Sequence, residues 1–94
     1  MKTFEELTDL EKSVLLIWGK ELNFSTTTHH QIEKINKRID AILPEIIHKD
    51  KKRINKTLIN SGFIVRHPTG RSKTYCLSPY GLKCCNIVKR ENDI

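Results

Sequence analysis

Apolar residues recur at helical spacing near the start of the chain. The members of this run are Leu10, Val14, Ile17, Trp18 and Leu22. Thr8 and Glu11 stand ahead of the run at the spacing of a capping box, in which two free amides at a helix start are satisfied reciprocally. The pattern therefore predicts a helix over about residues 9–22, with Trp18 in the core and its indole N–H in need of a partner.

A second run of apolar residues at intervals of three or four predicts another amphipathic helix, over about residues 29–42. Its members are Ile32, Ile35, Ile39 and Ile42. Thr28 and Gln31 have capping-box spacing, and Pro44 disfavours a helical conformation just before it. The preceding segment, residues 23–28, is polar and β-branched, and it is either a short strand or a connector.

A third helix is predicted over about residues 51–61. Residues 44–49 before it are a turn or one tight helical turn. Asp50 suits the N-cap, and Gly62 suits the left-handed residue that often follows a helix. On a helical wheel the apolar stripe is formed by Ile47, Ile54 and Leu58.

The period then changes from helical to alternating, which predicts a β-hairpin over about residues 63–77. The segments "FIVRH" and "KTYCL" flank "PTGRS", in which Pro68 and Gly70 have turn chemistry. Ser78 can then cap a helix with Pro79 at its first position. This last helix, about residues 79–89, places Leu82, Cys85 and Val88 on one side. The order of elements predicts one α+β domain, mostly helical, over residues 1–94.

Charge is unevenly distributed along the chain. The whole sequence has a formal net charge of +6, yet residues 48–73 hold eight basic residues and one acidic residue. This segment therefore carries +7 and the rest of the chain −1. A local positive field of this kind favours a polyanionic partner, which is DNA, RNA or an anionic membrane surface.

The cations of the third helix share one face. With Ile47 at zero, the residues that fall between roughly 140° and 240° are Lys49, Lys52, Arg53, Lys56 and Asn60. A solvated lysine face is the ordinary alternative, but such faces mix charges of both signs, and no acidic residue follows Asp50 in this helix. The hairpin repeats the bias with Arg66, Arg71 and Lys73. Both observations favour contact with phosphates.

Other chemistry finds little support in the residues. No apolar run approaches the ~18 residues of a membrane span, and the first residues lack the apolar core of a signal peptide, so we expect a cytoplasmic protein without a membrane partner. His29, His30, Cys84 and Cys85 lack metal-ligand spacing, and no nucleophile has a placed base. We therefore expect no metal, no cofactor and no enzymatic activity.

The sequence resembles the winged helix-turn-helix DNA-binding family. Leu58 and Gly62, followed by Phe63 and Ile64, match the end of that family's third helix. The close of its wing is matched by Tyr75, Leu77, Ser78 and Gly81. The opening "LTDLEKSVLLIW" resembles its first helix, so the similarity covers almost the whole chain. The resemblance implies a three-helix core, a hairpin wing and a C-terminal helix.

The resemblance also implies a function, namely sequence-specific binding of double-stranded DNA by a small prokaryotic, archaeal or viral transcription regulator. The third helix would enter the major groove, and the wing would touch the backbone or minor groove. The candidate DNA-binding residues are Lys49, Lys51, Lys52, Arg53, Asn55, Lys56, Asn60, Arg66, His67, Arg71 and Lys73. Arg53 suits guanine, Asn55 (a flank position at about 80° on the wheel) or Asn60 suits adenine, and Lys52 and Lys56 suit phosphates. Arg71 and Lys73 suit the minor groove.

Two further expectations concern partners. A winged-helix module that binds RNA or a protein is the alternative, since a fold does not decide a function. A homodimer through the terminal helices is expected because the last helix carries more apolar residues than a lone capping helix needs. These residues are Leu82, Cys84, Cys85, Ile87 and Val88. With DNA as the partner, the cytoplasmic protein would be associated with the nucleoid.

Overall fold

The computed structural model of the chain describes residues 1–68 and 72–92. A 3-10 turn at Phe4–Glu6 precedes the main elements. These are α1 (Asp9–Glu21), α2 (Ile32–Ile42), α3 (His48–Asn60), β1 (Ile64–His67), β2 (Thr74–Leu77) and α4 (Pro79–Asn92). The fold is α+β and mostly helical, with β1 and β2 in an antiparallel sheet, and the arrangement is winged-helix-like.

The capping box predicted at the start of α1 is confirmed. The Thr8 hydroxyl accepts a hydrogen bond from the Glu11 amide at 3.1 Å, and the Glu11 carboxylate accepts one from the Thr8 amide at 2.9 Å. The Lys2 ammonium also lies 2.8 Å from the Glu11 carboxylate. Burial opposes ionisation of Glu11, but the hydrogen bonds from Lys2 and Thr8 hold its pKa below the ordinary value.

The start of α2 differs from the prediction. The helix begins at Ile32 rather than at His29, and the Gln31 side chain makes no capping hydrogen bond. The reason is a β-bridge, in which the backbones of His30 and Tyr75 exchange two hydrogen bonds of 3.1 and 2.8 Å. This bridge holds His30 in extended backbone, so the helix cannot start before it. The connector before α2 is therefore strand-like at one residue.

The third helix, in contrast, starts earlier than predicted, at His48 rather than at Lys51. Ile47 is the N-cap residue and is 60% exposed, while Asp50 lies within the first turn. Gly62 follows the helix with φ of +82°, in the left-handed region that the sequence predicted for it. The apolar anchors Ile54 and Leu58 are buried, as expected from the wheel.

The hairpin pairs Ile64 with Leu77 at its base and His67 with Thr74 toward its tip. Because β2 pairs with β1 along one edge and meets His30 on the other, all four of its residues are buried. Residues 69–71, which include two residues of the predicted basic tip, Gly70 and Arg71, lie outside the described part of the chain.

Ser78 and Gly81 fix α4 against the end of α3. The Ser78 hydroxyl accepts a hydrogen bond from the Gly81 amide at 2.9 Å, which confirms the predicted cap, and it lies within hydrogen-bonding distance of the Gly62 and Phe63 carbonyl oxygens. A Cβ at position 81 would lie 1.9 Å from the Phe63 carbonyl oxygen. Only glycine therefore permits this close approach. The helix continues to Asn92 rather than ending near Lys89.

The hydrophobic core forms around α1, which contacts α2, α3 and α4. Its largest fully buried side chains are Trp18, Phe63, Leu15, Leu22, Ile35, Ile39, Leu58, Ile64 and Leu77. The expected core position of Trp18 is confirmed, and its ring meets Tyr75 edge-on at 6.2 Å. None of the helices within residues 1–68 and 72–92 has the length and apolarity required to cross a membrane.

Candidate nucleic-acid interface

One side of α3 is exposed and basic. It will be called the basic face of α3, and it consists of Lys49, Lys52, Arg53, Lys56 and Asn60. Ile54 and Leu58 lie buried on the opposite side, so packing against the core directs these five side chains outward. Asp50 is the one acidic residue of the helix, and its carboxylate lies 3.4 Å from the Arg53 guanidinium.

Two of the candidate DNA-binding residues do not belong to this face. Lys51 is 7% exposed and Asn55 is 2% exposed. The Lys51 ammonium lies 2.7 Å from the Asp40 carboxylate and joins α3 to α2. Both side chains are packed between helices and reach only a groove beside α3, so the expectation that Lys51 and Asn55 face DNA is corrected.

Asn55 takes part in a buried chain of hydrogen bonds. The Trp18 indole N–H donates to the Asn55 side-chain oxygen at 2.9 Å, which supplies the partner that the indole required. The Asn55 amide nitrogen then donates to the Asn36 side-chain oxygen at 2.8 Å. Asn55 is therefore a structural link between α1, α2 and α3 rather than a base-reading residue.

The hairpin places basic side chains beside α3. Arg66 and Lys73 are exposed, and the Lys73 ammonium lies 6.0 Å from the centre of the Tyr75 ring. His67 is half-buried, and its ring stacks on the His29 ring with centroids 3.9 Å apart. The His67 ring is therefore already packed against the connector between α1 and α2, and its contact with DNA stays a prediction. The candidate Arg71 lies outside the described residues.

A groove separates α3 from α2 and β2 and has a volume of about 450 Å³. We call it the α2–α3–β2 groove. Ile32 and Asn36 line it from α2, Tyr75 lines it from β2, and Lys73 lines it from the residue just before β2. The α3 residues at its wall include Lys52 and Lys56, so the groove borders the basic face.

The sequence predictions did not include Asn36 in any site. A wheel drawn for α3 alone cannot show which residue of α2 faces it. The signal was present in the sequence, since Asn36 directly follows the apolar Ile35 of the α2 stripe. A polar residue next to a buried stripe is a candidate for a contact between helices.

The three thiols are buried and free. Burial raises the pKa of the Cys76 and Cys84 thiols, and it raises that of Cys85 to about 12. The reactive thiolate form is therefore disfavoured at all three positions. Among the residues that the structure describes, no group of three His, Cys, Asp or Glu side chains is placed to hold a metal ion.

Four of the five apolar residues of α4 that suggested a dimer serve the core of this chain, and the fifth, Ile87, is half-buried. Cys84, Cys85 and Val88 are buried, and Leu82 packs partly buried against the same cluster. The other side of α4 is polar and carries Lys83, Asn86, Lys89 and Arg90. The dimer stays a prediction, but its apolar argument no longer rests on these buried residues.

No known protein guides the inference of function, which depends on the surfaces of α3, α4 and the hairpin. Comparisons with protein-family models, with curated proteins and with solved structures found no match. Function is therefore inferred from the charge, the exposure and the placement of this chain's own side chains.

Proposed function

We propose that this protein binds double-stranded DNA in a sequence-specific manner and regulates transcription. The observation that carries the proposal is the basic face of α3, which the core directs outward beside the basic hairpin. A helix of this kind suits the major groove, and the hairpin then reaches the backbone or the minor groove. A cytoplasmic, nucleoid-associated location and a homodimer belong to the same proposal.

Electrostatics supports a polyanionic partner. Lys49, Lys52 and Lys56 project from α3 within two turns of one another, and the hairpin adds Lys73 across the groove. Exposed like charges at this spacing repel one another unless something neutralises them. Phosphates of a duplex supply that neutralisation and release counterions, which makes the affinity strongly dependent on salt.

The residues of the basic face divide into two roles. Arg53 has the planar fork that can pair with guanine O6 and N7, and its guanidinium is exposed, 3.4 Å from the Asp50 carboxylate. Asn60 is exposed near the end of α3 and suits adenine. Lys49, Lys52 and Lys56 suit phosphates, which set position without reading sequence.

RNA is the less favoured partner because sequence-specific RNA binding uses exposed aromatic rings for stacking. Tyr80 is the one large aromatic residue that is exposed in the described part of the chain. Its ring stacks on Phe63 at 5.0 Å, and its hydroxyl accepts a hydrogen bond from the Phe4 amide. Tyr80 is thus occupied within the fold and lies on α4 rather than on α3.

In vitro selection from random duplex DNA, with single-stranded RNA as competitor, tests the proposal. Enrichment of a defined duplex motif is expected, and a palindromic motif would also indicate a dimer with two half-sites. Retention on the RNA competitor, or no enrichment at all, would overturn duplex recognition and favour the RNA-binding or protein-binding alternative.

Substitutions on the basic face then distinguish residues that recognise bases from residues that contact phosphates. Arg53→Ala should weaken binding to the selected site by ~1–3 kcal/mol, while Lys56→Ala should weaken binding to all sequences alike and lower the salt slope by ~1. The measurement is fluorescence anisotropy of labelled duplexes at several salt concentrations. Lys83→Ala on the polar side of α4 is the matched control, because it removes one exposed positive charge elsewhere. Equal affinities for all variants and wild type would contradict the assignment.

A further inference from the structure

The α2–α3–β2 groove has an apolar lining that is buried or half-buried, and exposed lysines surround that lining. Ile32 and Ile59 line it as half-buried residues, and Tyr75 is 7% exposed. Lys52, Lys56 and Lys73 are exposed around it. A volume of about 450 Å³ lies within the ~300–1,000 Å³ typical of small-molecule sites. This combination suits a ligand that has an apolar ring and an anionic group.

The buried chain of hydrogen bonds determines how Asn36 meets this groove. An indole N–H can only donate, so Asn55 must present its oxygen to Trp18 and its NH₂ to Asn36. Asn36 must then present its oxygen to Asn55, which orients the amide without ambiguity. Its NH₂ group is left as the open end of the chain, and no acceptor for it is found among the described residues. Asn36 therefore offers a hydrogen-bond donor whose direction is set from the core.

A donor fixed in this way selects a ligand edge that accepts hydrogen bonds. Guanine presents two adjacent acceptors, O6 and N7, whereas adenine presents an NH₂ donor beside N7. A phosphate on the same molecule would find the ammonium groups of Lys52, Lys56 and Lys73 within the same groove. We propose that the α2–α3–β2 groove is a binding site for a guanine nucleoside monophosphate, with Asn36 as the residue that recognises the base.

This inference does not rest on DNA binding, because its readout contains no DNA. The two proposals do share Lys52 and Lys56, which belong both to the groove and to the basic face. A nucleotide in the groove and a duplex on α3 would therefore exclude each other. Only this further step rests on the proposed DNA binding: the nucleotide would then act as an effector that releases the protein from DNA.

Calorimetric titration of the intact chain with GMP, AMP and inorganic phosphate tests the site. We expect saturable binding in the order GMP, AMP, phosphate, with GMP at least about fivefold tighter than AMP because Asn36 discriminates between their edges. NMR titration with GMP should shift backbone amides of α2, α3 and β2. Affinity for GMP equal to that for phosphate, or no saturable binding, would overturn the proposal. So would shifts confined to other elements.

Asn36→Asp is the sharpest variant because the carboxylate still accepts the hydrogen bond from Asn55, while it removes the donor and adds one negative charge. The charge weakens GMP and AMP alike, so the loss of the preference for GMP reports the donor. We expect GMP affinity to fall about tenfold or more, with the preference over AMP lost. Asn86→Asp makes the same change of charge on the exposed side of α4 and should leave GMP affinity within about twofold. Equal losses in the two variants would overturn the role of Asn36. An unchanged thermal midpoint of Asn36→Asp shows that the fold is retained.

Discussion

Two neighbouring lysines of α3 have opposite surroundings. Lys51 is 7% exposed, and its ammonium lies 2.7 Å from the Asp40 carboxylate on α2. Lys52 is exposed and lines the edge of the α2–α3–β2 groove. One residue along a helix is a rotation of about 100°, which is enough to move a side chain from an interface between helices to the surface.

The comparison extends to the whole helix. Its inner side holds Lys51 and Asn55 beside Ile54 and Leu58, so polar residues there join α3 to α1 and α2. Its outer side carries the basic face, which is exposed. Lysine and asparagine occur on both sides, so burial rather than residue type separates the buried Lys51 and Asn55 from the exposed Lys52 and Asn60. The predictions below test that division.

The largest difference is expected in stability, between two asparagines of α3. Asn55→Leu leaves the fully buried Trp18 indole N–H without an acceptor and Asn36 without its donor. We expect the free energy of unfolding to fall by about 1–3 kcal/mol, the usual cost of an unsatisfied buried polar group. Urea denaturation monitored by circular dichroism measures the loss.

Asn60→Leu is the matched control, since it makes the same replacement on the exposed side of the same helix. Its effect on the free energy of unfolding should stay within about 0.5 kcal/mol. If the two variants were destabilised equally, the buried hydrogen bonds of Asn55 would not be what holds the inner side of α3.

Substitution of the two neighbouring lysines should give the next largest effect. We expect the Lys52 variant to change the salt dependence of duplex binding and the Lys51 variant to change stability. Lys52→Met should lower the salt slope of duplex binding by ~1 and leave stability unchanged. Lys51→Met retains the buried stem and loses the pair with Asp40, which is itself 57% exposed and can return to water. We therefore expect Lys51→Met to cost at most about 1 kcal/mol of stability without changing the salt slope. Salt titrations and urea denaturation of both variants check this.

The reverse result would be informative. If Lys51→Met lowered the salt slope as much as Lys52→Met, the inner side of α3 would take part in binding after all. The division between the two sides of the helix would then fail at its clearest point.

Features that depend on neighbours in the chain could be predicted from the sequence. The capping box of Thr8 and Glu11, the left-handed Gly62 and the cap by Ser78 each involve residues within a few positions of one another. Such features are decided by local hydrogen bonds and backbone sterics, which a sequence states directly.

Features that depend on distant partners were missed. The bridge between His30 and Tyr75 joins residues far apart in the chain, and it moved the start of α2 to Ile32. Tertiary contacts of this kind override a local capping signal, and no spacing rule contains them.

The error at Lys51 and Asn55 has a more specific cause. The wheel for α3 took Ile47 as the centre of the apolar stripe, but Ile47 is the exposed N-cap residue. The buried residues Lys51, Ile54, Asn55 and Leu58 centre about 30° from it. Lys51 falls at about 40° and Asn55 at about 80° on that wheel, so both lay outside the basic face and were DNA-facing candidates only through the family resemblance. The rotation places them fully in the interface, and it leaves all five residues of the basic face outside.

The smallest expected effect concerns Asp50, the one acidic residue of α3. Its carboxylate lies 3.4 Å from the Arg53 guanidinium and also favours the helix N-terminus. Asp50→Asn should cost about 0.3–1 kcal/mol of stability, because a negative charge leaves the first turn. It should also strengthen duplex binding a few-fold, since a negative charge leaves the basic face. Asp9→Asn removes the corresponding charge from the first turn of α1 and should lower stability without changing affinity. Anisotropy titrations in low salt compare the two variants, and weaker duplex binding by Asp50→Asn would mean that its carboxylate holds Arg53 in the binding orientation.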